Sequence, residues 1–315
     1  MSALRIIFMG TAELACASLV ALAQQPDFLI TAVVTQPDRP KGRDLKLQPS
    51  PVKETALSLR LPVLQPERAR KVEFIEELRQ LQPDLIVVAA YGQILPQAML
   101  DLPPFGSLNV HTSLLPKYRG AAPIQWAILD GESETGVTIM KMDAGLDTGD
   151  ILTQQTTPIH VGDNSQTLHD RLAQLGAALL VPTIREHIAG KIILHPQPTE
   201  GISYARKIAK EDGRLDWTQP AQALWNRARA FTPWPGVFTH LPGQPHSHLL
   251  KIWQAEIADR SGQPGEILQA DKSGILVACG QQSLRLLQLQ REGGRRMSAQ
   301  EFLTGHPLKP GDKLG

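Results

Sequence analysis

The chain has 315 residues, 42% of them hydrophobic and 20% charged, and a formal net charge of +1 at pH 7; that length exceeds one comfortable core and points to about two globular domains. No apolar run could cross a bilayer, and Met1 to Gly10 goes straight into a strand-like LRIIFMG without the features of a signal peptide, so a cytoplasmic, monomeric protein with no membrane partner is expected. Cys16 and Cys279 lie far apart without CxxC spacing or a histidine cluster, which argues against a disulfide framework and a structural zinc site; no metal is expected.

Leu4 to Phe8 (LRIIF) is an apolar run of buried-strand length. A helical pattern through Leu14, Leu19 and Leu22 follows, then a second, β-branched run from Phe28 to Thr35, which together read as a βαβ opening. The turn at Gly10 is no dinucleotide fingerprint: GTAELA lacks G-x-G-x-x-G, and the second strand ends in Gln36-Pro37-Asp38 rather than in an acidic residue suited to a ribose. Gln36 to Ser50 is then a long loop with three prolines, in which Arg39, Lys41, Arg43 and Lys46 outnumber Asp38 and Asp44. Loops of that length without secondary structure are usually functional or mobile.

Pro51 to Leu59 and Ala69 to Leu81 read as helices, and Asp84 to Ala89 as a third buried strand that turns away at Tyr91 to Pro96. In the next strand, Ser107 to Thr112, Asn109 and His111 alternate with Leu108 and Val110 and so share one polar face. Asn is depleted from strands, and an Asn beside a His at a strand's end reads as a site. Leu114, Leu115 and Pro116 break the strand. A short helix, Ile124 to Asp130, with Pro123 suited to a first turn, precedes the strand Gly136 to Met142, the Asp-rich loop Asp143 to Asp150 (DAGLDTGD) and a hairpin partner, Ile151 to Thr157. A long helix starts near Asn164 or Ser165 and places Leu168, Leu172, Leu175 and Leu179 on one stripe, with a kink expected at Pro182 and Gly190 past its end.

The alternation of strand and helix predicts an α/β, doubly wound parallel sheet over residues 1–190, with ligands outside the carboxyl ends of its strands, where Tyr91 to Leu95, Asn109 to Pro116 and Asp143 to Asp150 fall. Lys191 to Ala205 carries Pro and Gly without helical period and reads as a linker. In residues 206–315 a helical segment, Pro220 to Phe231, precedes the strands His248 to Ala255, Gly265 to Gln269, Gly274 to Ala278 and Ser283 to Leu289, the pattern of a smaller β-barrel of the oligonucleotide-binding type. Charge divides unevenly: Met1 to Ala205 holds 17 Lys+Arg against 21 Asp+Glu, and Arg206 to Gly315 holds 15 against 10. The basic C-terminal part suits a nucleic acid.

An Asn side chain, an imidazole and a carboxylate at one site suit acyl transfer to an amine without a covalent intermediate. Asn109 can donate to a developing oxyanion, His111 can stabilise that charge or deliver a proton, and Asp147 can orient the imidazole and favour its charged form. Ser113 as a nucleophile lacks the G-x-S-x-G elbow, and Asp143, Asp147 and Asp150 match no calcium loop.

NVHTSLLPKYRGAAPIQWAIL, GVTIMKMDAGLDTGDIL, the opening RIIFMGT, TQPDRPKGR, SPVK at Ser50 to Lys53, AFTPWPG and MSAQEFLTG together resemble the methionyl-tRNA formyltransferases along nearly the whole chain. The resemblance implies a Rossmann-like catalytic domain, a linker and a tRNA-binding C-terminal barrel. It implies formyl transfer from 10-formyltetrahydrofolate, a cosubstrate rather than a tightly bound cofactor, to the amine of methionyl initiator tRNA. Carried over by position, Asn109, His111 and Asp147 match the family's catalytic residues, and Ser113, Leu114, Leu115 and Pro116 its folate-binding segment. Gln93, Ile94, Leu95 and Met142 should border the pterin pocket, and the loop bearing Arg39, Lys41, Arg43 and Lys46 should be the one that meets tRNA. One departure is Ala12, where the family usually has Pro after Gly-Thr. A sibling formyltransferase acting on a small amine, such as glycinamide ribonucleotide or an amino sugar, is the alternative that the basic loop and barrel disfavour.

Overall fold

A computed structural model describes residues 3–41, 46–242 and 249–315, with the backbone alone at Lys41 and Lys46. The chain divides into two compact units: Met1–Pro123, Glu134–Pro158 and His169–Arg206 form the first, and Ile124–Ser133, Ile159–Leu168 and Lys207–Gly315 the second.

From the N-terminus to Ala205 the elements are β1 (Leu4–Gly10), α1 (Leu14–Ala23), β2 (Phe28–Val34), β3 (Arg39–Lys41), β4 (Lys46–Gln48), α2 (Pro51–Ser58), β5 (Val63–Leu64), α3 (Val72–Gln80), β6 (Leu85–Ala89), α4 (Gln97–Leu100), β7 (Ser107–His111), β8 (Arg119–Gly120), α5 (Pro123–Leu129), β9 (Glu134–Lys141), β10 (Ile151–Pro158), α6 (Ser165–Ile188) and β11 (Tyr204–Ala205). The main sheet of the first unit has the order β10-β9-β7-β6-β1-β2-β5. β5, β2, β1, β6 and β7 are parallel, and β1, β2 and β6 have the near-continuous apolar runs expected of such strands. Ile6, Ile7, Phe8 and Met9 are fully buried, so both faces of β1 are covered.

The winding departs from the expected parallel pattern after β7. β9 runs antiparallel to β7, pairing Leu108 with Lys141 and His111 with Thr138, and β10 runs antiparallel to β9. The carboxyl end of β9 therefore lies beside the start of β7, opposite to the rim expected for the 143–150 loop.

One core face joins Ile7, Met9, Ile86 and Val88 of the sheet to Phe74, Ile75 and Leu78 of α3 and to Met99 and Leu100 of α4. On β7 and β9 the long helix α6 approaches so closely that a Cβ at Gly176 would lie 2.9 Å from Val110 Cγ1. That contact sets the helix's buried stripe: Leu172, Ala173, Ala177, Leu180 and Ile184 are buried, whereas Leu175 and Leu179 of the expected leucine stripe are only half-buried. The helix also continues through Pro182 to Ile188. Because side chains alternate along a strand, covering Val110 with α6 leaves Asn109 and His111 on the other face of β7.

Two stretches read as irregular have structure. Gln36 to Ser50 contains an antiparallel hairpin, with Arg39 paired to Gln48 and Lys41 to Lys46. Pro40 is tolerated there because a two-stranded ribbon leaves one edge of each strand unpaired. The segment 191–205 belongs to the first unit. His195 exchanges backbone hydrogen bonds with Ile151 at 2.8 and 3.0 Å, and β11 pairs in parallel with β8. Its prolines and glycine forbid a helix but not such isolated pairings.

The second unit holds α7 (Ala221–Ala230), β12 (Val237–His240), β13 (Leu249–Ala258), β14 (Ile267–Asp271), β15 (Gly274–Ala278), β16 (Ser283–Arg291), β17 (Met297–Ser298) and α8 (Ala299–Gly305). The strands form an antiparallel sheet in the order β12-β13-β16-β15-β14, with β17 beside β16. Leu284, Leu286 and Leu289 are buried in β16, and the break in alternation after Leu286 coincides with register shifts against β13 around Gln254. Segments 124–133 and 159–168 join this unit through bonds such as Ser165 Oγ to Thr232 O at 2.7 Å.

Candidate active site

Asn109 and His111 stand on β7, a central strand bonded to β6 and β9, so their Cα positions are fixed by two ladders. His111 is buried. Its Nε2 lies 3.0 Å from Tyr118 O. A carbonyl only accepts, so Nε2 carries a hydrogen, and Nδ1 is the nitrogen left to gain or lose a proton. Nδ1 faces Asp147 Oδ2 at 3.7 Å, and the Asp147 side chain is only 15% exposed. Asn109 Nδ2 lies 3.4 Å from Asp147 Oδ1. These are long contacts that leave the Asn109 amide and the Nδ1 edge of His111 free to serve a third group, as catalytic bonds commonly do before substrate tightens them.

Asp147 thus reaches the polar face of β7 although its loop leaves the carboxyl end of β9, beside the start of β7. The loop is wound tightly to do so. Asp143 Oδ1 accepts from Gly145 N at 3.0 Å and Thr148 Oγ1 at 2.7 Å, and Asp150 O accepts from Lys141 N at 2.8 Å. A Cβ at Gly149 would lie 1.8 Å from Lys141 O. Gly149→Ala is therefore expected to force the loop outward at a cost of about 1–3 kcal/mol, the usual range for overpacking. Thermal unfolding and turnover measured together test this, and a variant with wild-type stability and rate would show that the loop has room to spare. Asp147 itself has φ +53°, the left-handed region that non-glycine residues seldom adopt. Gly120 N donates to its Oδ2 at 2.8 Å and helps hold it there.

The segment after β7 is rigid. Ser113 is buried and its hydroxyl donates to Lys117 O at 2.6 Å; Leu115 is buried against Met140 and Ile151; the Leu115–Pro116 peptide is cis. Thr138 Oγ1 donates to Ser113 O at 2.7 Å and accepts from Leu115 N at 3.2 Å, while Gln154 Nε2 donates to Leu115 O at 2.9 Å. The side chains of Ser113 and Leu115 are thus committed inside the unit, and half-buried Leu114 and Pro116 and the backbone are what the segment can offer a ligand.

Of the residues expected around a pterin, Leu95 is buried in an apolar cluster that also holds Tyr91, and partly buried Met142 packs against that cluster. Gln93 is occupied: its Oε1 accepts from Ala69 N at 2.9 Å. Ile94 is 88% exposed. The Tyr91 hydroxyl is buried without a partner among the described residues, and burial pushes its pKa up to about 12, so it stays a neutral phenol.

Of the basic loop, Arg43 lies outside the described residues. Arg39 reaches Glu67 at 3.7 Å in an exposed pair that contributes little. The base of the hairpin is anchored at Asp38, which accepts from Lys53 Nζ at 2.7 Å and Gln65 Nε2 at 2.8 Å; these bonds, Lys53 first, hold its carboxyl below the usual range. Sequence reasoning missed Tyr118 O and Gly120 N, both backbone groups, and Thr138 and Gln154, whose residue types carry no signal of their own.

Two family models match the chain: formyl transferase over residues 4–184 and formyl transferase, C-terminal domain, over residues 207–307. The methionyl-tRNA formyltransferase of Geobacter sulfurreducens is 50% identical over 315 residues, covering 100% of this chain and 98% of that protein. Proteins of the same name from Trichlorobacter lovleyi and Caldanaerobacter subterraneus subsp. tengcongensis are 51% and 49% identical over 314 residues, covering 100% and 99% of this chain and 98% and 100% of theirs. Among solved structures, an N-formyltransferase from Helicobacter canadensis in complex with folinic acid and dTDP-3-aminofucose superposes with a TM-score of 0.64 at 20% identity, covering 93% of this chain and 100% of that one. HypX from Aquifex aeolicus in complex with tetrahydrofolic acid does so with a TM-score of 0.62 at 17% identity; the match covers 100% of this chain, which spans about half, 51%, of HypX.

Proposed function

The chain belongs to the methionyl-tRNA formyltransferases and formylates the amine of methionine carried by initiator tRNA; from that premise we propose that Asn109, His111 and Asp147 carry out the transfer, with 10-formyltetrahydrofolate as donor. The small-amine alternative is not favoured, since the full-length relatives at 49–51% identity are methionyl-tRNA formyltransferases. The observation that carries the reading is the convergence of the Asp147 carboxylate on Asn109 Nδ2 and His111 Nδ1, at 3.4 and 3.7 Å.

In the reaction the amine nitrogen bonds to the formyl carbon, the bond from that carbon to N10 of the folate breaks, and one proton passes from the amine to N10. Asn109 donates to the oxygen as it gains negative charge. His111 Nδ1 passes a proton to or from the reacting groups while the Asp147 carboxylate, 3.7 Å away, orients the ring. No nucleophilic side chain is required, because the amine attacks directly. The pterin lies against Leu95, Met142 and Ile94, with Gln93 holding the loop and Ser113 to Pro116 offering backbone groups. The exposure of Ile94 supports this, since a flat heteroaromatic ring would take that apolar side chain out of water.

The first unit, which takes most of residues 1–190 and the 191–205 segment, serves as the catalytic domain, and residues 206–315 supply the barrel that binds tRNA, in keeping with their 15 Lys+Arg against 10 Asp+Glu. A formyl-transfer assay offering charged initiator tRNA and glycinamide ribonucleotide side by side tests the substrate directly. The 36–50 hairpin, with Arg39, Lys41, Arg43 and Lys46, holds the acceptor end by phosphate contacts, and Arg43 or Lys41 probes the end base pair. Arg43→Ala and Lys41→Ala are accordingly expected to raise the KM for tRNA, most at low salt, where a phosphate contact counts for most, and to leave folate binding alone. Wild-type KM values for both variants across a salt series would reduce the hairpin to a surface connection.

A further inference from the structure

The segment that the sequence presents as a linker delivers one side chain to the Asp147 loop. Gln197 Nε2 donates to two backbone carbonyls of that loop, Asp147 O and Gly149 O, each at 2.8 Å. Its Oε1 accepts from Arg119, at 3.1 Å from Nε and 2.6 Å from Nη2. A primary amide has two N–H donors and two acceptor lone pairs, and all four are engaged. Arg119 is 94% buried, at 6% exposure, and the next residue supplies the Gly120 N–H that meets Asp147 Oδ2. A closed circuit results: carboxylate to Gly120, along the backbone to Arg119, across Gln197 and back to the carbonyl of Asp147.

We propose that Gln197 is a positioning residue for the formyl transfer: by joining the Asp147 and Gly149 carbonyls to Arg119, it fixes where the Asp147 carboxylate stands against His111 and Asn109. The inference rests on the reading of Asp147 as catalytic. Asp147 sits at φ +53°, a conformation that persists only where the surroundings impose it. Gly120 N holds its carboxylate and Gln197 its carbonyl, so the peptide is gripped at both ends. Neither glutamate nor lysine meets both demands. Glutamate would turn a carboxylate oxygen on two carbonyl oxygens, and lysine would face Arg119. Gln197 is itself well placed for this task. It stands between Pro196 and Pro198, and a residue before proline is biased to extended backbone, while the neighbouring His195 is pinned to Ile151.

The test compares full-length Gln197→Ala, Gln197→Glu, Asp147→Asn and the Asp147→Asn/Gln197→Ala double variant by kcat and by KM for folate and for tRNA. Gln197→Ala should lower kcat about 10- to 100-fold, the scale on which small misplacements of a reacting group act, with both KM values within about twofold of wild type. Gln197→Glu should lose at least as much, although it still accepts from Arg119. Adding Gln197→Ala to Asp147→Asn should cost nothing more, because a residue that acts through Asp147 has nothing left to position. Wild-type kcat in either single variant, a raised KM for tRNA with unchanged kcat, or losses that multiply in the double variant would each overturn the proposal. If Gln197→Ala fails to fold, Gln197→Glu decides, with its own Asp147→Asn double variant. Asp147→Asn distinguishes the premise from the inference: wild-type turnover there removes the catalytic reading and this proposal with it, whereas a slow Asp147→Asn beside a normal Gln197→Ala removes this proposal alone.

Discussion

Asp147→Asn and His111→Ala are each expected to lower kcat at least about a hundredfold, the lower end of what a positioned acid or base supplies. The two should differ in stability. At φ +53° Asn is tolerated at least as well as Asp, so Asp147→Asn should unfold no earlier than the wild type while losing its rate. Its amide can still accept from Gly120 N, but its NH₂ group would then face the NH₂ of Asn109, a donor against a donor, where Asp147 Oδ1 now lies 3.4 Å away. His111→Ala empties a buried site and should lower the unfolding temperature as well. His111→Gln, which keeps a donor toward Tyr118 O, separates the two losses: it should recover stability but not turnover, because an amide cannot relay a proton as an imidazole does. Steady-state rates with charged initiator tRNA, read beside thermal unfolding, decide. A purified Asp147→Asn with more than about a tenth of wild-type kcat would remove the carboxylate from the mechanism.

Asn109 and His111 stand out in the sequence because each breaks a local rule. An Asn and a His on alternate positions of an apolar strand conflict with strand propensity unless they do something, and β7 keeps that alternation in the fold. β1, β2 and β6 were legible for the opposite reason: their continuous apolar runs suit only strands covered on both faces. Strand direction was not legible. The short helix between β7 and β9 permits either orientation, and nothing in Gly136 to Met142 says which. The leucine stripe of α6 misled because its centre is Gly176, a residue that hydrophobic periodicity does not count. The hairpin at 39–48 was hidden by its prolines. Gln197 was hidden more deeply: its partners are two carbonyls and a guanidinium between 48 and 78 positions away, and backbone carbonyls leave no trace in a sequence.

Asn109→Ala should cost about 2–4 kcal/mol of transition-state stabilisation, or roughly 30- to 1000-fold in kcat/KM, the range known for removal of one oxyanion donor. The amide is available for that task. Among the described residues its side chain makes only the long bond to Asp147 Oδ1, while the backbone around it is tied to Val88 and Met140 on either side. Truncation should therefore disturb the strand little, and the loss should fall on kcat with folate affinity nearly unchanged, since the donor meets negative charge that exists only during transfer. Asn109→Asp distinguishes donation from mere space-filling. It keeps the shape but removes both N–H donors and sets a second carboxylate beside Asp147, where two like charges repel each other and the oxyanion. That variant should be slower than Asn109→Ala despite the smaller change in volume. If Asn109→Asp instead outperforms Asn109→Ala, the side chain acts by filling space, and the oxyanion must be held by His111 or by a backbone N–H of the neighbouring segment.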